Sequence, residues 1–109
     1  MRTITRIGLA LLVVLAAGAA FAQDAGSIRG TVSDSTGAVV PGATVTLQNE
    51  ATRFTRNVVT DAAGTYFFGA VQPGVYTITV EIPGFKTSER KGIRISQREA
   101  AGYNPVLEV

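Results

Sequence analysis

The chain has 109 residues, with 10 Lys+Arg, 8 Asp+Glu, no His and no Cys, a length that allows one small domain. Without His or Cys it has no imidazole acid/base chemistry, no thiol nucleophile, no zinc site built on those ligands and no disulfide staple. Much of its 46% hydrophobic content sits in one N-terminal block, which has to be set aside before the rest is judged.

Arg2 and Arg6 make Met1–Arg6 positive, Ile7 to Gly18 is an almost unbroken apolar run, and Ala20-Phe21-Ala22 is the small-x-small pattern that a signal peptidase accepts. The run is shorter than the roughly 20 residues needed to span a bilayer. The pattern predicts a signal-peptide helix over 1–22 with cleavage after Ala22, a short flexible leader over 23–26 and a domain over 27–109. Export across the inner membrane is then expected, to the periplasm, the outer membrane or the medium. Removing Arg2 and Arg6 from the 10 Lys+Arg leaves 8, equal to the 8 Asp+Glu, so the exported part is formally neutral. Its charge gives no argument for nucleic-acid binding.

From Ser27 onward, Ile28, Gly30 and Val32 alternate with Arg29, Thr31 and Ser33, which predicts a strand with one buried face. Asp34-Ser35-Thr36-Gly37 closes a turn in which the Asp side chain caps backbone N–H groups. Val40-Pro41-Gly42 is a second corner, with Pro presetting φ and Gly tolerating the left-handed position. Ala43, Val45 and Leu47 then face inward, while Thr44, Thr46 and Gln48 face outward. Asn49–Thr52 reads as a hairpin connection. In the run Arg53–Thr60, the apolar members Phe54, Val58 and Val59 break strict alternation, which suggests a bulge or cover on both sides.

Asp61-Ala62-Ala63-Gly64 repeats the Asp-x-x-Gly turn, after which Tyr66 and Phe68 share one face and Phe67 takes the other. Pro73-Gly74 leads into Val75–Ile82, the clearest strand, where Tyr76, Ile78, Val80 and Ile82 alternate with Thr77, Thr79 and Glu81. Pro83-Gly84 ends it, and Phe85 begins the next extended piece. Lys86–Gly92 is polar and charged, and Ile93 and Ile95 then alternate with Arg94 and Ser96. Tyr103, Val106 and Leu107 belong to a last strand that Pro105, lacking an N–H, confines to an edge or to one-sided pairing. No 3.6-residue apolar period follows Ala22, and turns arrive about every 8 to 12 residues, the spacing of a β-sandwich.

The order Gly30-Thr31-Val32-Ser33-Asp34, Gly37, Pro41-Gly42-Ala43-Thr44-Val45, Thr60-Asp61, Gly64, Tyr66, Pro73-Gly74, Tyr76 and Pro83-Gly84-Phe85 resembles the carboxypeptidase regulatory-like domain family. The resemblance runs from about Gly26 to Leu107. It implies a seven-stranded antiparallel β-sandwich of transthyretin-like, Greek-key type, in which Tyr66, Phe68, Tyr76 and Phe85 supply core bulk. Domains similar to this one occur beside metallocarboxypeptidases, in bacterial surface proteins and at the N-terminus of TonB-dependent outer-membrane receptors. A signal peptide leading straight into the module is similar to that last layout, so the chain is expected to be a free-standing module or a piece of such a receptor.

Candidate chemistry is sparse. Asp34 and Asp61 each sit in an Asp-x-x-Gly turn, where capping explains them, and no loop has the dense oxygen ligands that calcium needs. The transthyretin-like ureide hydrolases depend on His and a C-terminal Tyr-Arg-Gly-Ser, both missing here. No catalytic residue, metal ligand or cofactor is expected. A glycan platform would need exposed aromatics. Phe67 and Phe54 are the two to consider, although the plainer placement packs Phe67 under a loop or against the second sheet. Lys86, Arg90, Lys91, Arg94 and Arg98 form a basic cluster that would suit an acidic partner or anionic surface, or would simply guard a sheet edge. The expected function is a non-enzymatic structural or protein-interaction module of the cell envelope, with binding of a carbohydrate or other surface ligand as the alternative.

Overall fold

The computed structural model describes residues 24–109; the expected signal peptide and the first leader residue lie outside the described residues. Nine strands follow in order: β1 Gly26–Thr31, β2 Ser33–Asp34, β3 Thr44–Asn49, β4 Thr55–Val59, β5 Thr65–Val71, β6 Gly74–Glu81, β7 Ser88–Ile95, β8 Ala100–Gly102 and β9 Val106–Leu107. No helix occurs among the described residues. One layer has the order β5-β1-β8 and the other β4-β3-β6-β7, with β2-β9 as a short extra pair.

The count of nine reduces to the seven expected once two interruptions are recognised. Val32 separates β1 from β2 because its N–H donates to the Gly64 carbonyl at 2.8 Å and its own carbonyl accepts from Val40 N–H at 2.9 Å. Tyr103–Pro105 likewise separates β8 from β9, and the buried Pro105 offers its carbonyl to Ser33 N–H at 3.1 Å. The sandwich is therefore of the expected class, but not wholly antiparallel: β8 runs parallel to β1 and β9 parallel to β2. The last strand enters beside the start of the first, where Ser27 N–H donates to Glu99 O at 2.8 Å, so both run the same way.

Inward residues meet in one core, from Ile28 and Val32 through Val45, Leu47, Phe68, Ile78 and Val80 to Ile95 and Leu107, all 2% exposed or less. Tyr66 and Phe68 pack edge to face with centroids 6.0 Å apart. Tyr66 O–H donates to the Tyr103 carbonyl, and that carbonyl lies against Gly30 so closely that an added Cβ would stand 1.7 Å from it. Glycine is required there by close approach rather than by dihedral. At the Pro41-Gly42 corner, the buried Thr60 hydroxyl accepts from Ala43 N–H at 2.9 Å and donates to Val40 O at 2.8 Å. One side chain thus closes the corner where β3 begins.

Two outcomes differ from the sequence pattern. Lys86–Gly92 contributes most of β7, carried by backbone pairing to β6 rather than by apolar alternation. Thr77 takes the expected outer face but is only 9% exposed, its Oγ1 donating to Glu50 Oε1 at 2.9 Å. The same carboxylate accepts Gly92 N–H at 2.9 Å, pinning β7 at its positive-φ residue. These two bonds, Gly92 first, hold the Glu50 carboxyl below its ordinary range.

Candidate functional site

The outer face of the three-stranded sheet follows from strand alternation. Arg29 on β1 stands opposite Phe67 on β5 and Gly102 on β8, and Ser27 stands opposite Ala100. Directly opposed residues share a face, so Arg29 and Phe67 are the large side chains in a setting of small ones. Phe67 is 54% exposed, which corrects the expectation that it packs under a loop or against the second sheet. Its ring leans across Gly69, where an added Cβ would lie 3.1 Å from Cε1, and Arg29 Cζ lies 5.6 Å from the ring centroid. That distance is a cation–π contact.

These residues line an open groove of about 880 Å³ that also takes in Thr31, Asn104, Val59 and Asp61. Asn104 is fixed by accepting Thr31 N–H on Oδ1 at 2.9 Å. Asp61 is committed to its turn: Oδ1 accepts from Ala63 and Thr65 N–H, both at 3.0 Å, and Oδ2 accepts the Thr65 hydroxyl. The Thr65 hydroxyl above all, helped by the backbone donors, holds the Asp61 carboxyl below its usual range. Asp34 is held the same way by Thr36. Burial pushes the Tyr66 phenol up, and it stays a donor to Tyr103. The groove thus offers an apolar ring face, a guanidinium and a fixed amide, while its Thr65–Asp61 hydroxyl–carboxylate contact is spent on closing the turn. Among the described residues, no group of three or more His, Cys, Asp or Glu is placed to hold a metal ion.

The other residues singled out from sequence do not join this groove. Phe54, 68% exposed, lines a separate small hollow with Leu47, Arg56 and Tyr76. The basic cluster is dispersed. Arg90 stands opposite Ile78 and lies 5.9 Å over the Tyr103 ring, yet stays exposed. Lys91 pairs with Glu89 at 3.4 Å and Arg98 with Asp24 at 3.9 Å, while Lys86 and Arg94 are exposed. Arg29 and Asn104 were not singled out. For Arg29 the signal was there, since it alternates outward between Ile28 and Gly30. Asn104 carries none, because only the parallel β1–β8 pairing brings it to Thr31.

A model of the carboxypeptidase regulatory-like domain matches residues 27–108. The chain belongs to that family. No curated protein sequence matches it, but solved structures do. This regulatory-like domain superposes on the Bacillus anthracis TIE protein with a TM-score of 0.67 at 25% identity, covering 78% of this chain and 16% of that one. It superposes on a proposed carbohydrate-binding protein of Bacteroides uniformis with a TM-score of 0.64 at 20% identity, covering 77% and 41%. The domain therefore spans well under half the length of either. A 3-chlorocatechol 1,2-dioxygenase of Rhodococcus opacus shares the sandwich at a TM-score of 0.63 and 10% identity, covering 78% and 60%, a likeness of fold alone.

Proposed function

We propose that this regulatory-like domain is a non-enzymatic, exported binding module that holds a carbohydrate on the Arg29–Phe67 face. The observation that carries this is the Phe67 ring, 54% exposed on the edge strand β5 with Gly69 beside it and the Arg29 guanidinium over it, beyond which stand only the small residues Ser27, Ala100 and Gly102. A pyranose presents a C–H face that stacks on such a ring and hydroxyls that guanidinium and carboxamide groups can bind, the mix of apolar surface and few polar groups typical of ligand sites. The sandwich shared with the B. uniformis protein supports this choice of ligand class. Glycan-array screening followed by calorimetry on the purified protein tests it. Binding should fall at least about tenfold in Phe67→Ala. Absence of binding to every glycan, or binding indifferent to that change, contradicts it.

A second reading is favoured by the layout at the start of the chain. Arg2, the apolar run Ile7–Gly18 and Ala20-Phe21-Ala22 lead straight into the domain, as in the N-terminal module of TonB-dependent receptors, where the partner is an envelope protein. Reading the DNA downstream for plug and barrel strands tests that placement. Mass spectrometry of the exported protein should find Gln23 at its N-terminus, and an uncleaved Met1 contradicts export by this route.

A further inference from the structure

Four strands end the two sheets: β4 and β7 in one, β5 and β8 in the other. An open edge is a template for further pairing, and folded proteins usually blunt it with charge, bulges or shortness. Three of these four are blunted. β7 carries Glu89, Arg90, Lys91 and Arg94, and its register with β6 shifts between Tyr76 and Ile78, near Gly92 at φ 73. β8 is three residues long. β5 has its Gly69 carbonyl occupied by Arg56 Nη1 at 2.7 Å and its end turned at Ala70, φ 50.

The edge of β4 carries the fewest guards of the four. Thr55–Val59 pairs with β3 in unbroken register, has no proline or lysine, and turns its one charge, Arg56, inward over the Phe68 ring. Thr55, Asn57 and Val59 are exposed, Val59 by 62%. Two flanking bonds set the phase of the ladder: Asn49 N–H to Phe54 O and Thr60 N–H to Ala43 O, both 2.9 Å. Antiparallel bonding alternates residue by residue. The even-numbered residues of β4 therefore bond to β3, and Thr55, Asn57 and Val59 point their N–H and C=O groups away from the sheet.

We infer that this edge pairs antiparallel with β4 of a second copy of the chain about a twofold axis at Asn57. The sequence is complementary to itself in that register. Asn57 faces Asn57, each Thr55 faces a Val59, and each of these three pairs exchanges two backbone hydrogen bonds. Arg56 faces Val58 of the second copy, so no like charges oppose. A shift of one residue instead brings up groups already bonded to β3. The four-stranded sheet becomes eight-stranded. Facing residues lie on the same side of a sheet, so the axis is normal to it and both Arg29–Phe67 faces point the same way. If those faces bind glycan as proposed above, the dimer is bivalent towards a repeating polymer; the pairing itself does not depend on that reading.

Sedimentation equilibrium of the purified protein tests the pairing. A concentration-dependent dimer is expected, and Asn57→Lys, which sets two lysines against each other at the axis, should weaken it at least about tenfold. Glu89→Lys on β7 should leave it unchanged. Amide exchange at Thr55, Asn57 and Val59 should slow as concentration rises, a readout that needs no variant. A monomer at every concentration, a dimer equally tight in Asn57→Lys, or one broken by Glu89→Lys overturns the inference. None of these results bears on glycan binding by a single domain.

Discussion

The outer faces of the two sheets are built on the same pleat and filled in opposite ways. On the four-stranded sheet, Asn57, Thr46, Thr79 and Glu89 stand abreast in one row, and Thr55, Gln48 and Thr77 in the next. This surface is polar, and its hollow of about 660 Å³ is lined by Gln48, Thr77, Thr79 and Glu89 with Glu50 and Lys91, without an aromatic ring. On the three-stranded sheet, the corresponding row is Phe67, Arg29 and Gly102, with Ser27 and Ala100 beside it. Whether an aromatic ring on a sheet is available to a ligand is decided by its neighbours, and here Arg29 is the one large neighbour, with glycine, alanine and serine beyond it leaving Phe67 54% exposed. The exposed ring is what assigns the proposed glycan site to one side of the sandwich.

The change that should damage this arrangement most is Gly30→Ala. Its Cβ would strike the Tyr103 carbonyl at 1.7 Å, forcing β1 away from the chain segment that carries Asn104. A loss of about 3 kcal/mol or more is expected from such overpacking, visible as a drop in melting temperature of more than about 10 °C. Thr60→Val should cost about 1–3 kcal/mol in chemical denaturation, since it strands Ala43 N–H and Val40 O at a buried corner. Both act on the frame behind the faces.

Phe67→Ala separates binding from stability. It should abolish most glycan affinity while changing unfolding by only about 0.5 kcal/mol, as for an exposed site. Thr79→Ala on the opposite face is the matched control and should alter neither. The smallest effect concerns the two Asp-x-x-Gly turns. Asp34 and Asp61 have folded-state pKa values below their unfolded ones, so their contribution is present above the unfolded pKa and is lost as pH falls through the folded one. Melting temperature should begin to decline below about pH 4. Asp34→Asn should flatten that decline without changing binding.

Most of the frame was legible because period-two alternation and Pro-Gly or Asp-x-x-Gly corners are local signals. Ala43, Val45 and Leu47 point inward, and Tyr66 and Phe68 are buried back to back with Phe67, as the pattern required. What escaped was non-local. The parallel entry of the last strand, the Glu50 clamp on Gly92 across 42 residues and the Thr60 bridge to Val40 across 20 leave no mark in sequence spacing. The groove was half legible: Phe67 was singled out and Arg29 alternated outward, but the smallness of Ser27, Gly69, Ala100 and Gly102 matters only once they are known to be neighbours. The basic cluster misled for the opposite reason, because closeness in sequence along a bulged strand sent Arg90 over the Tyr103 ring and Lys91 to Glu89.

The most direct test is a titration of the isotopically labelled protein with a glycan identified by array screening, followed by amide chemical shifts. The account predicts that perturbations centre on Arg29, Phe67, Gly102 and Asn104 and spare Thr46, Thr79 and Lys91. Shifts centred on the four-stranded face, or none at saturating glycan, would contradict it.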